Sequence, residues 1–367
     1  MSTGLYIHIP FCKQKCNYCD FASFAGCEKL IDAYLQSLFS EMQRCPVSRF
    51  HTLYVGGGTP SLLSFRQLDT LCNQICTHFG DISSFEESTF EANPESLTKE
   101  KILLLKQAGF NRFSLGLQSF NDEELKTLGR VHDAATFLRA WKNLRACGIK
   151  NINVDLIAGV PGQTLKSFLS SLDKLISLKP EHVSVYGLQI EEGTPFFERG
   201  VICDQILMRE MLEQTRAQLR VLGYHHYEIS NFARPGFESK HNLRYWQYQN
   251  YLGLGSSAAS FLKGRRYQNV AGVQEYIRRI NNGESPVVFS EKLTGKAREG
   301  EKLMVGLRQL DGVKISLLQR KFFGKEITRH VQNGLLLQEN KKIKLSNEGL
   351  FLANEVFRSF VAPFEDK

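Results

Sequence analysis

From residue 28 to 44, apolar side chains fall at 30, 31, 34, 35, 38, 39 and 42, one stripe of an amphipathic helix. The run Leu5-Tyr6-Ile7-His8-Ile9 before it predicts a strand, and 51–55, running into Gly56-Gly57-Gly58-Thr59-Pro60, predicts another after it. Ser64 with Gln67 three residues on forms a capping box, opening a helix whose apolar face runs through Leu68, Leu71, Ile75 and Phe79. The alternation continues with a strand at 88–92, a helix at 98–108 and a strand at 113–117. Helices capped by Asn121 (with Glu124) and running over 133–146 precede a strand at 152–158 and a helix at 164–178. A strand at 182–188 and a long helix at 204–222 complete the run.

Six strands separated by helices imply parallel pairing through right-handed crossovers. A dinucleotide-binding fold would carry G-x-G-x-x-G in its first unit, whereas here three consecutive glycines follow the second strand. The expected class is therefore α/β, an open (β/α)6 partial barrel over residues 1–223. Chemistry in such barrels lies at the C-terminal strand ends. Cys12, Gly57, Glu91, Gln118 and Asp155 are each predicted to fall at or just beyond one. Residues 224–290 are less regular and form an expected connecting region. From 291 to 367 helices are predicted at 296–309, 314–322 and 325–334, then a hairpin over 335–345 turning at Glu339-Asn340 and a last helix from Asn347. This order predicts a smaller winged-helix-like α+β domain.

Composition adds little: 42% of the 367 residues are hydrophobic, as in an ordinary globular protein. No stretch reaches the ~18 apolar residues needed to span a bilayer, and no basic-plus-apolar leader is apparent, so a cytoplasmic location is expected. Residues 291–345 concentrate 13 Lys or Arg against 6 Asp or Glu within a chain of net charge +8. A solvated surface is the simplest meaning of that excess. Direct nucleic-acid binding is not expected of it, and peripheral contact with acidic lipid is left open.

Three of the nine cysteines stand together in Cys12-Lys13-Gln14-Lys15-Cys16-Asn17-Tyr18-Cys19. Thiols at C-x3-C-x2-C spacing on a loop leaving a strand can converge on one cubane iron–sulfur cluster and leave its fourth iron without a protein ligand. The alternatives are a zinc site, which would need a fourth ligand that neither Cys27 nor His51 supplies at a short knuckle, and a disulfide, which would need an oxidising compartment. Cys72, Cys76, Cys147 and Cys203 read as buried small hydrophobes. Consecutive glycines after the second strand would let backbone groups approach a ligand closely.

The cysteine spacing resembles that of the radical S-adenosylmethionine (SAM) superfamily. Over nearly the whole chain the sequence resembles the oxygen-independent coproporphyrinogen III oxidase-like family within it. This resemblance implies a 4Fe-4S cluster on Cys12, Cys16 and Cys19, and S-adenosyl-L-methionine held by Tyr6, Tyr18, Gly57, Gly58, Thr59, Glu91, Gln118, Arg130 and Asp155. The motifs that carry it are Leu-Tyr-Ile-His-Ile-Pro-Phe-Cys, Glu-Ala-Asn-Pro, Gly-Leu-Gln-Ser-Phe, Leu-Gly-Arg-Val-His and Val-Asp-Leu-Ile-Ala-Gly. Carboxylates, an arginine and free amides suit a zwitterion that carries a ribose.

Two departures point away from the oxidases. Phe21 stands where they carry a fourth cysteine, and they have an N-terminal extension before the first cluster cysteine, here at position 12. His241-Asn242-Leu243-Arg244-Tyr245-Trp246 is similar to the H-N-x-x-Y-W motif of the family's haem-chaperone branch. That likeness implies a haem site with His241 as candidate iron ligand, apart from the cluster in a different part of the chain. The expected function is binding haem and passing it to an acceptor protein not identified by the sequence, with a reductant protein as a further partner. Oxidative decarboxylation of coproporphyrinogen III is the enzymatic alternative and is not expected.

Overall fold

Six parallel strands lie side by side in chain order: β1 (Thr3–Ile9), β2 (Thr52–Gly57), β3 (Glu87–Ala92), β4 (Arg112–Gln118), β5 (Ile152–Ala158) and β6 (His182–Gly187). The structure is a computed structural model and describes residues 3–47 and 49–363. Alternation along each strand separates two environments. Leu5, Ile7 and Ile9 of β1, with Leu53 and Val55 of β2, are buried in the large apolar core. Tyr6, Tyr54, Thr89 and Arg112 are register partners across β1 to β4 and form one row on the opposite, lumen-facing side.

Amphipathic helices cover the apolar face. The Ser64–Gln67 capping box is present at the start of the helix Phe65–Phe79, which buries Leu68, Leu71, Cys72, Ile75 and Phe79. The helices Ile31–Gln43, Lys99–Ala108, Ala134–Ala146, Leu165–Ser177 and Gln205–Val221 repeat the arrangement. The open α/β barrel is thus present.

Residues 224–292 extend this sheet at both edges, which their pattern does not announce. β7 (His225–Glu228) and β8 (Asn231–Ala233) continue it beyond β6. β9 (Asn250–Leu254) pairs parallel to β1 on the other side, and β10 (Ala259–Leu262), β11 (Arg265–Asn269) and β12 (Val287–Lys292) follow antiparallel, giving twelve strands. The buried Glu41 carboxylate fastens that edge to the first crossover helix, accepting from the Gly255 amide, Asn269 Nδ2 and Tyr276 Oη at 2.6–2.7 Å.

The C-terminal segment has its own core, including Leu303, Leu307, Phe323, Ile327, Ile343, Val356 and Phe360. Its three-stranded sheet contains the expected hairpin, Leu336–Glu339 with Lys342–Leu345. Two helices expected at 314–322 and 325–334 are one run, Leu317–Gln332, bent at Phe323 (φ −128°, ψ 16°). Val313 and Lys314 belong instead to the third strand, because they pair with the hairpin.

Candidate cofactor and ligand site

Past β1, Phe11–Cys12 pairs with Phe24–Ala25, so residues 13–23 form a loop anchored at both ends. Cys12, Cys16 and Cys19 are free thiols, each half-buried. Burial raises the pKa of Cys12 and Cys19, while Thr59 and Ser23 hydrogen bonds work the other way at Cys12. Thr59 Oγ1 donates to Cys12 Sγ at 3.4 Å, Asn93 Nδ2 donates to Thr59 Oγ1 at 3.0 Å, and Arg130 donates to Asn93 Oδ1 at 2.7 Å and to Cys16 Sγ at 3.5 Å. This belt connects two of the three thiols through side chains from the segments that follow β2, β3 and β4. Cationic and hydroxyl donors beside sulfur fit thiolate ligands, whose negative charge they offset. Three thiolates suit a cubane, which spreads them over three irons and leaves the fourth without a protein ligand. The donor set fits the cluster.

Glu91 governs the glycine turn. Its carboxylate accepts from the Tyr54 hydroxyl at 2.5 Å and from the Gly57 amide at 3.0 Å, and burial raises its pKa. Gly57 has φ +114°, and a Cβ there would lie 2.5 Å from the His8 ring. A Cβ on Gly58 would lie 2.8 Å from the Phe11 carbonyl oxygen. The turn therefore packs directly onto the chain entering the cysteine loop. His8 is pinned at both nitrogens, one by Tyr6 Oη and one by the Ala22 carbonyl, each at 2.8 Å.

The remaining candidates occupy different depths. Gln118 ends β4 in a left-handed conformation (φ 72°) and is buried. Asp155 is not at a strand end as expected: it is the fourth of seven residues in β5, accepting from Asn153 Nδ2 at 2.8 Å. Its place in the lumen follows from strand alternation, since its partners Gly116 and Ser184 continue the inward-facing row. Burial raises its pKa, opposed by Asn153 and Ser184. Tyr18 packs on the small apolar cluster containing Leu128, Ile157 and Phe196.

His241 lies where it was not expected. The helix Lys240–Trp246 closes the barrel at the start of the strands, its first amides capped by Glu87, the first residue of β3. His241 is 0% exposed. Nδ1 shares a 2.9 Å hydrogen bond with Thr52 Oγ1, and Nε2 a 2.8 Å bond with Tyr245 Oη. With both nitrogens engaged, His241 is not presented as an iron ligand; it positions Tyr245. Nor is it remote from the cofactor residues, because its ring stands 5.3 Å from that of Tyr54, which holds Glu91.

Burial pushes the His241 pKa down to about 3. The unfolded chain takes up this proton near the ordinary value of about 6.5, so the contribution to stability is complete above that pH and is lost as pH falls toward about 3. The stability difference between wild type and His241→Gln is expected to shrink by about 1.4 kcal/mol per pH unit below ~6.5. Buried carboxylates such as Glu91 titrate oppositely but cancel in the difference. Parallel urea-midpoint curves from pH 7 to 5 would contradict the buried neutral histidine.

A cavity of about 560 Å³ joins the two sets of residues. Tyr6, His8, Gly57 and Glu91 line one side, and Tyr245, Trp246, Tyr248, Tyr251 and Phe261 the other, with Phe21 at the loop. Tyr245 and Tyr251 meet edge-on at 4.6 Å, as do Tyr245 and Trp246 at 6.3 Å. Such an apolar, aromatic wall facing a polar rim suits a large flat ligand.

The radical SAM superfamily model matches residues 6–175. The chain is 38% identical over 368 residues to the haem chaperone HemW of Lactococcus lactis subsp. lactis, covering 97% of this chain and 96% of that one. It is 36% identical to the haem chaperone HemW of Bacillus subtilis, covering 97% and 98%. The chain belongs to the HemW family. In fold it is similar to coproporphyrinogen III oxidase (HemN) from Escherichia coli, with a TM-score of 0.85 at 24% identity over 98% of this chain and 90% of that one. Membership of the radical SAM superfamily implies a 4Fe-4S cluster and SAM for this HemW-family chain.

Three residues at the centre of the arrangement were absent from the sequence-derived set. Asn93 lies inside the quoted Glu-Ala-Asn-Pro motif, and His8 follows Tyr6 at the strand period of two, so both carried a usable signal. Tyr54 had the same period before Gly56. No helix is long and apolar enough to cross a membrane among the described residues.

Proposed function

We propose that this chain is a cytoplasmic haem carrier that binds haem in the aromatic cavity and hands it to an acceptor protein. In this reading Cys12, Cys16 and Cys19 hold the cluster, and Tyr6, Tyr18, Gly57, Gly58, Thr59, Glu91, Gln118, Arg130 and Asp155 surround SAM. The observation that carries it is the single cavity in which the Tyr245–Trp246 pair faces Tyr6, Gly57 and Glu91. The curated relatives named as haem chaperones add support across nearly the full chain.

Cys12, Cys16 and Cys19 would hold the cluster, which would supply the electron that one-electron chemistry on SAM requires. The chain's own residues have distinct tasks. Arg130 and Thr59 donate to the sulfurs and fix their orientation. Glu91 keeps the Gly57 amide turned, leaving the flanking backbone for a zwitterionic ligand. His241 fixes Tyr245, so that its ring stands as a wall of the cavity.

Phe21 favours carriage over oxidation of coproporphyrinogen III. It is 65% exposed at the cavity, where the oxidases have a thiol, and offers a packing surface with no proton or electron to give. A radical enzyme needs a closed site to keep intermediates from side reactions.

Haem titration of the anaerobically reconstituted protein is expected to shift the Soret band, and Tyr245→Ala to weaken binding by tenfold or more while preserving the cluster spectrum. Incubation with coproporphyrinogen III, SAM and dithionite should yield no protoporphyrinogen. Sustained turnover in that incubation would replace the carrier reading with the oxidase.

A further inference from the structure

Arg308 follows the helix Gly295–Gly306 and lays its guanidinium over the indole of Trp246, with Cζ 4.5 Å from the ring centroid. Trp246 and Val305 line the cavity, and Arg308, three residues beyond Val305, packs on that Trp246 ring without itself lining the cavity. Its Nε is buried without a hydrogen-bond partner among the described residues. Among the described residues no ion pair involves its terminal nitrogens. Burial lowers its pKa, opposed by Glu228 and Tyr186, yet a guanidinium stays protonated.

The neighbouring charges do not occupy it. Glu228 is turned to the Ser230 amide at 3.0 Å. Arg266, the arginine that lines the cavity itself, is committed to Glu301 at 2.7 Å and to Glu291 at 2.5 Å. Leaving a desolvated cation unpaired is costly, and stacking on an indole orients the guanidinium plane without using its N–H groups. Those groups remain available for two parallel bonds to a carboxylate.

We propose that Arg308 anchors one propionate carboxylate of the porphyrin that packs against Trp246. This rests on the haem reading above and adds to it the group that sets the ligand's orientation. A porphyrin whose face meets the aromatic wall extends its propionates from one edge on two methylenes, long enough to carry the charge past the edge of the indole to the guanidinium stacked on it. Arg308 is then a binding residue that distinguishes a free-acid porphyrin from a neutral one. The competing account is that Arg308 only balances the buried Glu228.

The test compares haem with haem dimethyl ester, in which both carboxylates are uncharged, on the reconstituted full chain. Wild type is expected to bind haem at least tenfold tighter than the ester. Arg308→Gln should lose at least tenfold for haem and leave ester affinity unchanged, and Arg308→Lys should recover part of the loss. Equal haem and ester affinity in wild type, or an Arg308→Gln loss shared by both ligands, would overturn the anchor while leaving haem carriage standing. A wild type that binds neither ligand would overturn both. If Arg308→Gln does not fold, the wild-type ratio and its reduction in Arg308→Lys still decide, because a lysine keeps the charge but not the paired geometry.

Discussion

Serine in place of Cys12, Cys16 or Cys19 is expected to abolish the broad charge-transfer absorbance at about 400 nm in anaerobically reconstituted protein. The three positions are free thiols, Cys12 at the anchored entry of the loop and Cys16 and Cys19 within it, and two of them are joined through Thr59, Asn93 and Arg130. Two thiolates do not hold a stable cubane, so each single change should remove nearly all bound iron. Cys72 and Cys147 are the controls. Both are buried among core residues, and burial pushes the Cys72 thiol up to about 12, so it is protonated and inert. Their serine variants should retain the full iron count per chain. The barrel itself should survive the three cluster-loop changes, because the core is built from the apolar faces of strands and crossover helices rather than from that loop. Retention of the cluster in Cys16→Ser, or its loss in Cys72→Ser, would refute the ligand set.

Gly57→Ala is expected to weaken SAM binding by more than tenfold and to destabilise the fold by about 1–3 kcal/mol. Two costs add at this position. The backbone is at φ +114°, where residues with a Cβ rarely go, and the new methyl would lie 2.5 Å from the His8 ring. His8 cannot step aside freely, because it is bonded to Tyr6 Oη and to the Ala22 carbonyl. Relief would therefore come from moving Tyr6, from breaking the Glu91 bond to the Gly57 amide, or from lifting the cysteine loop at Ala22. Each route distorts the proposed SAM surroundings. Gly162→Ala provides the comparison, since it also has positive φ (+81°) but no neighbour within 4 Å. It should pay the backbone cost alone, leaving anaerobic calorimetry with SAM unchanged. Equal calorimetric behaviour of the two variants would show that the collision at His8 is unimportant for the site.

The same contrast between local and distant causes separates what could be read from the chain. Helix and strand periods of the barrel, the Ser64–Gln67 box and the C-x3-C-x2-C loop are encoded within a few residues and reappear in the structure, whereas the two helices expected at 314–322 and 325–334 merge into one bent run. Six strands in sequential order needed only the alternation of two periods and the handedness of crossovers. The family likeness, resting on contiguous motifs, was legible for the same reason.

Long-range closure decided the rest. Strands of 225–292 are short and partly polar, as in Arg265-Arg266-Tyr267-Gln268-Asn269, and become strands because an existing sheet offers them unpaired edges. Glu41 and Asn269 meet across 228 positions, and Thr52 and His241 across 189. Periodicity reports that a face is covered but not by what, so the contacts of both His241 nitrogens, to Thr52 and to Tyr245, could not be read from the sequence. Asp155 likewise took its depth from strand register rather than from its motif. Within the sequence, residue types near the cysteine loop determined which cofactor chemistry to expect. Only packing between distant segments determined which side chains face the cavity, because their nitrogens and hydroxyls are claimed by partners the local pattern does not contain.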